Sequence, residues 1–269
     1  MTLKSYACGN WYEARTDLVA VPSAVDGRTV ASVSSSGLDV AAMLRHARTV
    51  GGKNLRALTF AQRVAMLHDI ATYLSERKDA LYEISFDTGA TRGDHALDID
   101  RGIATLFWYA SRGRRELPSG HVVIDGSPEP LADGGTFVGR HILSPRLGVA
   151  VFINAYSFPC RGFLEKFAPA FLAGVPVVVK PATPTAYVAA RVIEYVLESR
   201  IVPEGTLQSI IGAPGDLFEH LTGQDTVAFT GSLETSLKLR AHPALMRRGV
   251  RIIAERESPC AAVLGPDAD

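Results

Sequence analysis

Four groups of residues carry side chains or backbone suited to chemistry, and each lies where an apolar run stops. Lys180 follows Val177-Val178-Val179, so its stem can lie along apolar surface while the ammonium reaches a crevice and bonds hydroxyls such as those of a ribose. Glu255 follows Ile252-Ile253-Ala254, and burial at a strand end would tune its carboxylate toward general-base work. Glu257 competes with it by spacing. Phe229-Thr230-Gly231-Ser232 joins an apolar run to a helical pattern: the glycine permits close backbone approach, and the following helix N-terminus offers N–H groups and a partial positive charge to a diphosphate. An ordinary helix cap accounts for the same four residues, a surface lysine for Lys180 and a solvated loop for either glutamate. The fourth group is an irregular turn, Asn154 to Pro159, after Val149 to Ile153.

These residues are positioned by one stretch, Gly148 to Thr183. Its two apolar runs flank a helical pattern with Phe163, Phe167 and Phe171 spaced by four and Leu164, Ala168 and Leu172 beside them. Two short buried runs joined by such a helix form a parallel β-α-β crossover. Ligands of such sheets bind beyond the carboxyl ends of the strands, here Asn154 to Pro159 and Lys180 to Thr183. The alternation continues. Thr183-Pro184 offers a capping hydroxyl before a helix with Val188, Val192, Ile193 and Val196 inward. Leu207 to Ile211, a short helix from Asp216 to Leu221, Thr226 to Phe229, a helix from about Leu233, Val250 to Ala254 and Cys260 to Leu264 complete a doubly wound, Rossmann-like α/β sheet.

Upstream, residues 1–35 read as short strands punctuated by Gly9-Asn10 and Asp26-Gly27. Helical periods follow from Leu38 to Ala47, Thr59 to Phe86 and Asp94 to Glu116. From Pro118 to Pro145 the pattern becomes β with many turn residues, a protruding hairpin suited to pairing with another subunit or, more simply, laid on its own domain.

Composition narrows the function. Twenty-eight basic and 28 acidic residues cancel, which argues against nucleic acid or an anionic membrane as partner. The three cysteines form no close-spaced pair, so neither a disulfide framework nor a zinc site is expected, and a reducing compartment is. His46 and His68 lack metal-ligand spacing to another histidine, and with His95 they read as surface or satisfied-core residues. No signal peptide or bilayer-spanning run is present, and a cytoplasmic protein is expected. The GxGxxG fingerprint is absent.

Taken jointly, an Asn-x-x-x-Phe-Pro turn, Glu-Lys-Phe-Ala-Pro on the next helix, Val-Lys-Pro-Ala-Thr-Pro, Phe-Thr-Gly-Ser and a strand-end glutamate, in this order, resemble the aldehyde dehydrogenase superfamily over essentially the whole chain. Ile153 to Pro159, Gly215-Asp216-Leu217 and Ala254-Glu255 to Ser258 look most like one branch. It holds the dehydrogenase domain of the phenylacetate-degradation bifunctional protein and the benzoyl-CoA-pathway semialdehyde dehydrogenase.

The resemblance implies an NADP or NAD cofactor, an aldehyde substrate that is CoA-linked in this branch, and a homo-oligomer. It implies that Ile153, Lys180, Pro181, Thr183, Gly215 and Phe229 to Ser232 hold the dinucleotide, Lys180 at the adenosine ribose and Ser232 at the diphosphate. Glu255 would activate water for thioester hydrolysis, with Lys166 near the catalytic centre. Thr183 replaces a glutamate that repels a 2′-phosphate in NAD-specific relatives, so acceptance of NADP is expected. Ser157 replaces an asparagine whose amide binds the oxyanion; losing such a donor costs about 2.7 to 4 kcal/mol of transition-state stabilisation, and Asn154 or a backbone N–H is available to compensate.

The family's nucleophilic cysteine lies a few tens of residues beyond the glutamate. This chain ends at Asp269, fourteen positions past Glu255, and Cys8, Cys160 and Cys260 all stand elsewhere. The expected organisation is a cofactor-binding domain of 1–117 and 148–257, an oligomerisation hairpin of 118–147 and the start of a truncated catalytic domain at 258–269. A non-catalytic nucleotide-binding remnant is the alternative. A fused hydratase domain, as in the bifunctional relatives, is a third reading.

Overall fold

The computed structural model describes residues 1–256 and Gly265. Its strands are β1 (Ser5–Ala7), β2 (Asn10–Tyr12), β3 (Val19–Pro22), β4 (Thr29–Val33), β5 (Val123–Pro130), β6 (Val138–Leu143), β7 (Ala150–Ile153), β8 (Val177–Lys180), β9 (Leu207–Ser209), β10 (Thr226–Thr230) and β11 (Arg251–Glu255). The helices are α1 (Val40–His46), α2 (Gly52–Ala57), α3 (Phe60–Ser75), α4 (Lys78–Ser85), α5 (Arg92–His95), α6 (Arg101–Glu116), α7 (Arg161–Leu172), α8 (Ala186–Glu198), α9 (Leu233–Arg240) and α10 (Pro243–Arg247). Wider π-type turns, Ala47–Gly51 and Ala96–Asp100, join α1 to α2 and α5 to α6.

The main sheet has the order β11-β10-β7-β8-β9-β1-β2. The five strands from β11 to β9 run parallel, and β1 and β2 continue the sheet antiparallel at one edge. The chain steps from β7 through β8 to β9 in one direction, then returns to lay β10 on the other side of β7. That reversal opens a crevice at the carboxyl ends of β7 and β10. The expected doubly wound α/β fold is therefore present over the described residues. The expected strand Cys260 to Leu264 lies outside them.

Strand alternation divides the core. Ala150, Phe152, Val177 and Val179 face a cluster with α3, α6, α7 and α8, while Val149, Val151, Val178 and Val227 face α1 and the α9–α10 side. In α7 every residue of the expected apolar face is buried, and the rings of Phe163, Phe167 and Phe171 follow one another at 5.4 Å. The continuous helix expected from Thr59 to Phe86 is broken at Glu76-Arg77. There Arg77 lies over the Tyr73 ring at 3.5 Å and donates to the Tyr73 carbonyl at 3.0 Å, ending α3. Among the described residues β5 and β6 pair only with each other, and Ile124, Val138 and Ile142, with Phe137 just before β6, are exposed.

Candidate active site

β7 and β8 end in register, Ile153 beside Lys180, and the Asn154 amide continues the ladder by donating to the Lys180 carbonyl at 3.2 Å. The chain then turns through Asn154–Pro159 into α7. The turn is tied on the cofactor side by Thr185, whose hydroxyl donates to the Tyr156 carbonyl at 3.0 Å. Its far end is tied by Asp98, whose carboxylate accepts the Arg161 amide at 2.7 Å and the Cys160 amide at 3.1 Å.

Between this turn and the ends of β10 and β11 lies a cavity of about 130 Å³ lined by Ser157, Phe158, Arg161, Glu165, Lys166, Thr230 and Glu255 among others. A chain of charges crosses it. Arg161 Nε meets Glu165 at 3.2 Å, Lys166 Nζ meets Glu165 at 3.3 Å and Glu255 at 3.9 Å, and the Thr230 hydroxyl donates to Glu255 at 3.1 Å. Lys166 Nζ also donates to the Gly162 carbonyl at 3.1 Å. The Glu255 side chain is 65% exposed, so the burial expected of it is not supplied by the described residues. β11 is the outer strand of the sheet, and nothing described covers its end. Glu257 and Ser258 lie outside the described residues.

Asn154 is placed differently from Ser157. It is 5% exposed, its side chain is absent from the cavity lining, and neither amide atom has a hydrogen-bond partner among the described residues. Strand alternation explains this: Asn154 continues the Ala150 and Phe152 face of β7 and points into the packed layer.

On the dinucleotide side, Lys180 is partly buried and makes no ion pair or hydrogen bond through its ammonium among the described residues. Burial pushes its pKa down from 10.5. Pro181 follows it directly. The capping role expected of Thr183 is not observed: a short 3₁₀ turn, Thr183–Thr185, precedes α8 and places Thr183 three residues before the first residue of that helix. Ser232 does cap α9, accepting the Thr235 amide at 3.3 Å. Gly231 packs on Phe229, where a Cβ would stand 2.6 Å from the ring, so no larger residue fits. Gly215, at φ +56, lies in the open loop after β9. Lys180 thus presents an unpaired ammonium at the end of the central strand, and the Gly231 turn presents backbone without a side chain. These are features that suit a ribose and a diphosphate.

The two described cysteines are poor nucleophiles. Cys160 is fully buried, and burial with the nearby Asp98 and Asp100 charges pushes its thiol well above 9.0; burial also raises Cys8. Cys260 lies outside the described residues.

Arg161, Glu165 and Asp98 were not among the candidates read from the sequence. The first two were legible as an i, i+4 pair on the helix after the turn. Asp98 carried no local signal, because its partners are more than sixty residues away.

The doubly wound sheet, its switch-point crevice and the Lys166–Glu255 pair define a class, and the chain belongs to the aldehyde dehydrogenase family, whose model matches residues 11–269. Among individual proteins, the chain is 44% identical over 269 residues to the 3,4-dehydroadipyl-CoA semialdehyde dehydrogenase of Aromatoleum evansii, covering all of this chain and 52% of that protein. It is 26% identical to the NADP(+) succinate-semialdehyde dehydrogenase of Escherichia coli K12, over 86% of this chain and 47% of that one. The fold matches a crystal structure of an E. coli NADP-dependent enzyme with a TM-score of 0.80 and 23% identity, over 96% of this chain and 52% of that chain. The chain spans about half the length of the curated relatives it matches. Among the described residues no helix is long and apolar enough to cross a membrane.

Proposed function

We propose that this chain is the dinucleotide-binding part of an NAD(P)-dependent dehydrogenase that oxidises a CoA-linked semialdehyde to the acid. The observation that carries the reading is the set of strand ends at the sheet's switch point, where Lys180, with no ammonium partner among the described residues, closes β8 beside Ile153 and the Lys166–Glu255 pair spans the cavity between α7 and β11. The similarity to a CoA-semialdehyde dehydrogenase supports the substrate class.

In this reading a bound dinucleotide would supply the hydride acceptor, and the chain's own residues do the rest. Lys180 would donate to a ribose hydroxyl, and the Gly231-Ser232 turn would hold the diphosphate. Ile153, Pro181 and Gly215 would line the rest of the dinucleotide site. Thr183 brings no negative charge near a 2′-phosphate, which favours NADP. Ser157 donates its hydroxyl to the developing oxyanion. Glu255, held by Thr230 and Lys166, removes a proton from the water that completes the acid. Asn154 holds the base of the turn. The acyl-accepting thiol is neither Cys8 nor Cys160. Residues 1–117 and 148–257 form the cofactor domain, the 118–147 hairpin pairs with a second subunit, and 258–269 begin the catalytic domain.

The inert Cys8 and Cys160 favour a second reading, a nucleotide-binding chain without catalysis. Titration of the 269-residue protein with NADPH, followed by nucleotide fluorescence, and an assay of aldehyde-dependent NADPH formation separate them. Binding with turnover overturns the second reading, and binding without turnover supports it only where a chain of the relatives' full length also fails to turn over. Absence of binding to both NADPH and NADH overturns both.

A further inference from the structure

The first turn of α7 leaves backbone N–H groups that no earlier helical carbonyl can accept. Three of the five at the turn are satisfied locally: Gly162 donates to the Phe158 carbonyl at 2.8 Å, and Phe163 and Leu164 donate to the Cys160 carbonyl at 3.2 and 3.0 Å. The residues before the helix, Phe158-Pro159-Cys160, include no side chain able to cap it, and Cys160 makes no side-chain cap bond. The two remaining donors, the Cys160 and Arg161 amides, both go to the Asp98 carboxylate, at 3.1 and 2.7 Å. Asp98 is 5% exposed and sits in the π-type turn between α5 and α6. One helical turn further on, Gly102 presses α6 against the same spot: a Cβ there would lie 3.0 Å from the Arg161 Cα.

We propose that Asp98 is the positioning residue of this site, a buried carboxylate supplied from the α5–α6 turn that caps α7 and so fixes the helix from which Arg161, Gly162, Glu165 and Lys166 line the cavity. Its bearing on catalysis rests on the reading above, but the capping and its test do not. A carboxylate also suits a helix N-terminus electrostatically, and a charge-assisted bond holds the helix entry more firmly than a neutral one.

Burial pushes the Asp98 carboxyl up to about 6, against the opposing pull of the Arg161 and Cys160 amides. The charged groups around it are few. From α7, Arg161 favours its charge and Glu165 opposes it. Asp100, in its own turn, is engaged by Lys78 and Tyr82 of α4. His95 of α5 is buried between the Tyr82 and Phe86 rings, and Arg101, at the start of α6, is exposed.

The test is an amide NMR titration of the 269-residue protein from pH 3 to 7.5, a range that covers both the ordinary carboxyl value of 3.8 and the raised one, with the Asp98→Asn variant in parallel. In wild type the Cys160 and Arg161 amide protons should move together through one step centred near 6, a signature that a packing role alone does not produce. In Asp98→Asn that step should vanish. Hydrogen exchange across residues 160–166 should also quicken by roughly tenfold in the variant, while Val178 in β8 stays protected. Amides that do not titrate, or that titrate unchanged in the variant, overturn the capping. Unchanged exchange at 160–166 overturns the positioning. Should Asp98→Asn fail to fold, the wild-type titration alone decides the capping, and Asp98→Ser, with an oxygen too short to reach both amides, serves for the exchange. A protein that binds no dinucleotide would sink the proposed function and leave this result standing.

Discussion

Lys166 Nζ stands 3.9 Å from Glu255 Oε2, joining the middle of α7 to the end of the outermost strand across the cavity. The Lys166 side chain is 14% exposed and that of Glu255 65%, so the pair has one foot in water. Exposed pairs of this kind contribute about 0 to 1 kcal/mol. Glu255→Gln should therefore leave the urea unfolding free energy within about 1 kcal/mol of wild type. In a catalytically competent protein the same change should leave dinucleotide affinity intact and slow product formation by roughly 10²- to 10⁴-fold, as expected for removal of a general base. Weakened NADPH binding in Glu255→Gln would show that the carboxylate belongs to the cofactor site instead.

Lys180 is expected to trade stability for binding. Its ammonium is largely taken out of water with no partner among the described residues, and its pKa is depressed below 10.5. Below its folded pKa the lysine is charged in both folded and unfolded chains, so the cost of that burial is fully present there. It is relieved as pH climbs toward 10.5, because the folded state releases its proton first. Lys180→Met should unfold at equal or higher urea than wild type at pH 7 and lack the wild-type gain in stability at alkaline pH. It should bind NADPH roughly tenfold more weakly, the loss expected for a charge-assisted bond. Unfolding at lower urea, with affinity unchanged, would assign Lys180 to packing.

The parts of this site carried by continuous chain were legible beforehand. Phe163, Phe167 and Phe171 announced α7 by spacing alone, and Lys180 and Glu255 were found because each closes an apolar run. What spacing could not convey was contact at long range. Asp98 reaches α7 across sixty-odd residues, and its spacing resembles that of any helical aspartate. Thr183 misled because a hydroxyl before a proline is a sound local signal for a helix start, yet an extra 3₁₀ turn intervenes. For Glu255 the apolar run before it suggests a strand end and leaves burial or solvation open, and its exposure follows from β11 being the edge of the described sheet.

Arg63 anchors the opposite end of α7. It is fully buried, and its guanidinium donates to the Leu172 carbonyl at 2.9 Å and to the Leu55 and Leu58 carbonyls at 2.9 and 2.6 Å. Leu172 ends α7, Leu58 directly follows α2, and Leu55 lies in the last turn of α2, where its carbonyl also accepts the Leu58 amide at 3.2 Å. Arg63→Met keeps much of the volume but leaves the Leu172 and Leu58 carbonyls without this donor and the Leu55 carbonyl with the Leu58 amide alone, at about 1 to 3 kcal/mol for each buried group left unpaired. A loss on the order of 3 kcal/mol in urea unfolding is expected, and a neutral outcome would mean that water replaces the guanidinium.

Asp98 should also govern how stability depends on pH. Its folded pKa of about 6 lies above the ordinary 3.8, so between these values the folded chain holds a proton that the unfolded chain has released. The contribution of this group is therefore fully present below 3.8 and is lost as pH rises through about 6. The two amide bonds to the ionised carboxylate offset only part of its desolvation. Other carboxylates titrate in the same range, so the informative quantity is the difference between wild type and Asp98→Asn, which cannot ionise. Measured by urea unfolding at pH 4, 5, 6 and 7.5, wild-type stability minus variant stability should fall with rising pH, by up to about 3 kcal/mol, and level off above 7. A difference that stays flat would mean that Asp98 titrates alike in both states, and one that grows with pH would mean that its two amide bonds outweigh its burial.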